Sequence, residues 1–156
     1  MAQTIHCRSC KADSAARDIA DLIGRHTNEK GRFCCARCGG TDTFLHAQRR
    51  PGAGAGSAPW IKGVVPIDTK TADAAYAPFV FLTAEDPDGA VTGIAFKYYR
   101  TTPSNGDGPR RARRPDGGPV LAQSHLLSLV GRLAKIGVVS DHDWREFVRA
   151  ADARAT

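Results

Sequence analysis

The sequence predicts an α+β protein, and three observations predict it. All five cysteines lie in the first quarter of the 156-residue chain, and four of them form two C-x-x-C hooks. Two runs rich in β-branched and aromatic residues flank the turn-forming segment Glu85-Asp-Pro-Asp-Gly89. Two stretches with helical apolar spacing follow, one over 121–136 and one opening at Ser140. The expected organisation is a cysteine module over 1–47 with an inserted helix, a linker over 48–59 and a small α+β domain over 60–156. That last domain holds a β-hairpin, a basic loop at 101–119 and two C-terminal helices.

Composition narrows the class before any motif is read. At 42% hydrophobic and 24% charged residues, the chain has the balance of an ordinary globular protein, which excludes wholesale disorder. No stretch approaches the ~20 apolar residues of a membrane span, so no membrane partner is expected. The first twenty residues lack an apolar leader, so the expected location is cytoplasmic. Lysine and arginine outnumber aspartate and glutamate by 22 to 16, a net charge of +6. That excess excludes an acidic, self-repelling tail and favours acidic partners.

The first cysteine hook is Cys7-Arg-Ser-Cys10 and the second Cys35-Ala-Arg-Cys38-Gly39. An odd cysteine count in a reducing compartment argues against a disulfide framework. Four thiolates in two hooks suit the all-sulfur tetrahedral shell of structural zinc, one ion per chain. Cys34 and Cys35 are adjacent, so the ligand must be chosen. Aligning Ile5-His6-Cys7 with Phe33-Cys34-Cys35 puts a large apolar residue two before each first ligand, on the ligand's side of a strand. That favours Cys7, Cys10, Cys35 and Cys38 as metal ligands, with Gly39 opening the backbone after the last. His6 and Cys34 then fall on the opposite strand faces, as strand residues beside the metal; Cys34 as a substitute ligand and a second site using His6 are the alternatives.

Strand, hook, insertion, strand, hook and return strand resemble a zinc ribbon, the β-hairpin zinc module of many nucleic-acid enzymes and transcription factors. The resemblance covers residues 3–47. Within that class, FCCARCGGTDTFLHA is similar to the second hook of phage and plasmid primase zinc domains and to short zinc-ribbon regulators of phages. The resemblance implies a zinc-ligand role for the four hook cysteines and a role on nucleic acid, as an accessory or regulatory protein of a phage or other mobile element. The chain departs from the primase pattern in its long spacer and in lacking a recognisable primase catalytic domain.

The spacer predicts a helix from Asp13 to Gly24, capped by Asp13 or Ser14, with Ala16, Ile19, Ala20 and Ile23 on one face. It covers a ribbon too small to bury its own apolar residues. A recognition helix with Arg17 and Arg25 outward is the alternative, weakened by Asp18 and Asp21. A strand is expected from Arg32 to Cys35. Residues 48–59 are small residues, glycine and proline without apolar period, and read as a flexible linker between two modules. Gly52, Gly54 and Gly56 imitate a phosphate loop, but no helix opens after them.

Downstream, 60–67 is an apolar segment, and 78–83 and 91–100 pair as a hairpin. The first terminal helix presents Leu126, Leu129, Val130 and Leu133. The second, opened by Ser140-Asp-His-Asp143, presents Trp144, Phe147, Val148 and Ala151, all expected in a core. The stretch from Phe96 to Arg114 holds six basic residues against Asp107. Lys97, Tyr98, Tyr99, Arg100, Arg110, Arg111, Arg113 and Arg114 are therefore the candidate nucleic-acid contacts, charge for the backbone and rings for bases, with Phe96 beside them as a further stacking surface. Arg8, Lys11, Arg32 and Arg37 around the hooks are expected to meet phosphate.

Catalytic chemistry has little support. Asp86 and Asp88 sit in a turn, where aspartate and proline are favoured anyway. Asp141 and Asp143 suit a helix N-terminus, and no histidine stands beside a nucleophile pattern. The expected function is a non-enzymatic, zinc-stabilised nucleic-acid-binding accessory or regulatory protein, on DNA or RNA. A protein-interaction adaptor whose ribbon docks on a partner enzyme is the alternative, and a nuclease or primase-related enzyme a remoter one.

Overall fold

A computed structural model describes residues 3–45, 59–67, 76–102, 111–113 and 121–153. The chain divides into two compact units, Met1–Pro119 and Val120–Thr156.

In the first unit, β1 (Gln3–Cys7), β2 (Asp13–Ala16), β3 (Thr43–Leu45), β4 (Trp60–Pro66), β5 (Tyr76–Ala84), β6 (Gly93–Thr102) and β7 (Arg111–Arg113) build one sheet in the order β2-β1-β3-β4-β5-β6-β7. Every pairing is antiparallel. β1 alternates, turning Ile5 and Cys7 inward, and the chain reverses after the first hook with Lys11 at φ 59°. The segment expected to begin a helix at Asp13 is instead β2. Its burial alternates with period two, Ser14 and Ala16 inside, so the strand pattern wins over the helical one.

The helix starts later, as α1 (Ile19–His26), where Asp18 caps it by accepting the Asp21 N–H at 2.9 Å. Its inward row is Ile19, Leu22, Ile23 and His26, spaced i, i+3, i+4, i+7. Arg32 and Phe33 make only isolated bridges, to Gly63 and Thr27, in place of the strand expected over Arg32–Cys35.

The sheet continues past the expected linker, whose residues 48–58 lie outside the described ones. Leu45 pairs with Ile61, the Phe33 N–H reaches the Lys62 carbonyl and the Val64 N–H reaches the Gly31 carbonyl. The cysteine module and the hairpin therefore belong to one unit, and the division falls at Pro119 rather than over 48–59. The physical reason is burial: Ile5, Ala16, Leu22, Phe33 and Leu45 form a single core with Val64, Phe79 and Phe81. Neither half could enclose that surface alone.

β5 and β6 pair through the Glu85–Gly89 turn, Phe81 opposite Ala95. Part of the expected basic loop is ordered into this sheet: Thr101 and Thr102 end β6, and Arg111–Arg113 forms β7.

The second unit holds α2 (Gln123–Lys135) and α3 (Asp141–Asp152). Ser140 caps α3 by accepting the Asp143 N–H at 3.1 Å. Leu129 and Leu133, one turn apart, are buried. The apolar stripe expected inside is largely open: Leu126, Phe147 and Val148 are 44%, 47% and 38% exposed, and Leu127 joins them at 55%. Two helices of this length have too little surface to close over both stripes.

Candidate metal centre and nucleic-acid interface

The two hooks meet because β1 and β3 are neighbours and the Thr43 hydroxyl donates to the Phe33 carbonyl at 2.8 Å, holding the second hook against the first. Backbone bonds close each hook. The Cys7 N–H reaches the Ala12 carbonyl, the Cys35 N–H the Gly40 carbonyl and the Gly39 N–H the Cys35 carbonyl, each at 2.9 Å. Lys11 and Gly39 hold the same position, one after the second cysteine, and both are left-handed, at φ 59° and 71°. Gly40 follows where a Cβ would stand 3.3 Å from the Cys38 sulfur.

The sulfurs of Cys7, Cys10, Cys35 and Cys38 all lie within 4.8 Å of one another, a group that can hold a metal ion. Cys7 Sγ is 3.7 Å from Cys38 Sγ, and Cys10 Sγ is 3.6 Å from Cys35 Sγ. A tetrahedron with metal–sulfur bonds of ~2.3 Å has edges of about 3.8 Å, so the cluster fits a small four-coordinate ion. The hooks are electrostatically unequal. N–H groups of Cys38 and Arg37 hold the Cys35 thiol down to about 6. Cys10 is pushed up to about 12: the Ala12 N–H favours its thiolate, but burial and the three neighbouring thiols outweigh it. A cation held by these thiols would reverse that penalty, since coordination takes the deprotonated form.

Cys34 stands outside the cluster, its Sγ 3.8 Å from the Arg32 carbonyl. His6 is also outside it. Its Nδ1 lies 2.7 Å from Asp13 Oδ1, and its ring rests 5.2 Å from Phe44, which meets Trp60 edge-on at 4.6 Å.

The basic residues near the hooks separate into two kinds. Arg8 is committed inside the molecule, 3.5 Å from Asp42 and 3.3 Å from Asp88 in the β5–β6 turn. Arg32 is half-buried, and burial lowers its pKa. Lys11 and Arg37 are exposed at the tips of the hooks. Arg17 and Arg25, considered as outward contacts of a recognition helix, both pair with Asp21, at 3.2 and 3.4 Å. Lys62, which the sequence did not single out, is buried and donates from Nζ to the Pro87 carbonyl, fastening the same turn that Arg8 grips.

Of the expected nucleic-acid contacts, Lys97 and Tyr98 are half-exposed on β6, and Tyr99 and Arg100 follow them in that strand. The register sets Arg100 opposite Arg113 and Thr102 opposite Arg111. Arg110 and Arg114 lie outside the described residues. The positions of Tyr98 and Tyr99 fall on opposite faces of the sheet, since neighbours along a strand alternate. The face of Tyr98 also carries Ile94 and Phe96, which are 41% and 37% exposed. Ile94 escaped the sequence reading because it sits in a run that reads as core.

Among the described residues, no helix is long and apolar enough to cross a membrane. In comparisons with protein-family models, curated proteins and solved structures, the chain matches none.

Proposed function

We propose that the chain is a non-enzymatic, zinc-stabilised nucleic-acid-binding protein. Cys7, Cys10, Cys35 and Cys38 would hold one zinc, which supplies no reaction and fixes the hooks. The observation that carries the binding reading is the register of β6 and β7, which sets the position of Arg100 opposite that of Arg113, with the position of Arg111 two residues along the same strand. Exposed Lys11 and Arg37 add two cations at the hook tips.

The purified protein should carry one zinc per chain by elemental analysis. Cys34→Ser should keep it, and Cys35→Ser should lose or weaken it. An empty wild-type site, or loss of metal on Cys34→Ser alone, would reassign the ligands. Replacing Arg110, Arg111, Arg113 and Arg114 with Ala should weaken nucleic-acid binding across all sequences. It should also lower the slope of log affinity against log salt by about 0.7–0.9 for each phosphate contact removed. An unchanged slope would remove these arginines from the interface.

A second reading, a protein-interaction adaptor, is favoured by the exposed Leu126, Leu127, Phe147 and Val148 of the second unit. It predicts weak binding to nucleic acid that ignores the arginines, together with capture of a defined protein partner.

A further inference from the structure

The sheet face that carries Ile94 and Phe96 is closed over its middle and open at its edge. Val65, Val80 and Leu82 share that face through the register of β4, β5 and β6, and each is at most 1% exposed. One strand further out, Phe96 stands opposite the buried Val80 yet keeps 37% of its surface in water, and Ile94 keeps 41% opposite the buried Leu82. β7 pairs only with Arg100–Thr102, so among the described residues no strand covers the edge of β6 beside these side chains. A large apolar side chain left open on a sheet whose neighbours are sealed is the informative kind of exposure.

The same face continues into charge. Residues two apart share a face, so the row Ile94, Phe96, Tyr98 leads to the position of Arg100, and the pairing adds the positions of Arg113 and Arg111. A purely apolar partner would meet cations at the end of this row. A purely phosphate-reading contact would leave the apolar end unused. A ligand with planar apolar groups strung on a polyanionic backbone satisfies both ends.

We infer that the β6 face binds single-stranded nucleic acid, with Phe96 and Tyr98 as a stacking platform for unpaired bases and the arginine positions of β6 and β7 beside the backbone. This rests on the nucleic-acid reading above and adds the strandedness. The spacing selects against duplex. Rings two residues apart on a strand are separated by about 6.7 Å, whereas bases in a duplex are stacked at ~3.4 Å and offer no free face. Phe96 therefore stays in the interface, and Tyr99, adjacent to Tyr98 and so on the other face, leaves the platform.

The test is anisotropy of the full zinc-loaded chain with labelled oligo-dT and oligo-U of about 12 nucleotides, and with a mixed-sequence duplex of equal length. Both single strands, or one of them, should bind more tightly than the duplex; preference between them assigns DNA or RNA. Phe96→Ala should weaken single-strand binding about 5- to 150-fold with the salt slope unchanged, the range expected for one stacked base. Phe96→Trp should restore it, and any fall in melting temperature in Phe96→Ala should be small, since 37% of the residue is open to water. Equal duplex binding, or full affinity in Phe96→Ala, overturns the inference, while the arginine variant still decides the broader reading separately. Loss of affinity that tracks a lowered melting temperature, and that Phe96→Trp repairs only in stability, also overturns it. No binding by the wild-type chain to any of the three probes sinks both.

Discussion

Asp21 illustrates how one carboxylate organises the insertion between the hooks. It accepts the Arg17 N–H at 2.9 Å and faces the guanidinium groups of Arg17 and Arg25. The Arg17 N–H and guanidinium, outweighing burial and helped by both positive charges, hold its pKa at about 2, below the ordinary 3.8. The folded state therefore binds fewer protons than the unfolded one between those values. The stability Asp21 adds is fully present above about pH 4 and is lost as pH falls toward 2. Asp21→Asn should lower the melting temperature at neutral pH and flatten the acid limb of a pH series. Identical acid limbs would mean that the pairs are too solvent-screened to matter. At the same scale Lys11 holds a left-handed position that Gly39 holds in the second hook, so the two hooks match in backbone but not in residue.

At the scale of elements, Gly63 is where the insertion meets the sheet. A Cβ there would stand 2.0 Å from the Gly31 carbonyl oxygen, the acceptor of the Val64 N–H. Backbone cannot give way as a side chain can. Gly63→Ala should push the Gly31 loop off β4, costing on the order of 1–3 kcal/mol or more in a denaturant titration. Gly24 in α1 is a control, since nothing lies within 4 Å of a Cβ placed there. A Gly63→Ala protein as stable as Gly24→Ala would contradict this packing. The turn between β5 and β6 is a second junction, gripped by Arg8 from the first hook and by Lys62 from β4. Turn chemistry made the hairpin legible in sequence. Those long-range grips were not legible, because Arg8 and Asp88 are eighty residues apart.

For the first unit as a whole, the shared sheet and core change what metal removal should do. Two modules on a flexible linker would unfold separately, chelation melting only the hooks. Here Leu45 pairs with Ile61, and Phe33 packs in one core with Val64 and Phe81. Structural zinc supplies an apparent ~10–16 kcal/mol in small modules, so if the four thiolates hold the proposed zinc, its loss should propagate through that core. Hydrogen exchange after chelation should show protection falling in β4 and β5 together with β1 and β3. Protection confined to falling before residue 47 would restore the picture of separable modules.

The sequence by itself determined the elements whose causes are local. Hook spacing named Cys7, Cys10, Cys35 and Cys38, the glycine and aspartate turn named the β5–β6 hairpin, and Ser140 named the start of α3. Each signal lies within a few residues, where bond geometry and hydrogen bonding act directly. Only the tertiary structure decided that Asp13–Ala16 is a strand, that one sheet spans β1 to β7, and that Phe96 and Phe147 are open while Phe79 and Phe81 are buried. Those outcomes depend on which distant surfaces find each other. An apolar residue carries the same side chain whether a partner covers it or water does, so its neighbours in sequence cannot tell the two apart.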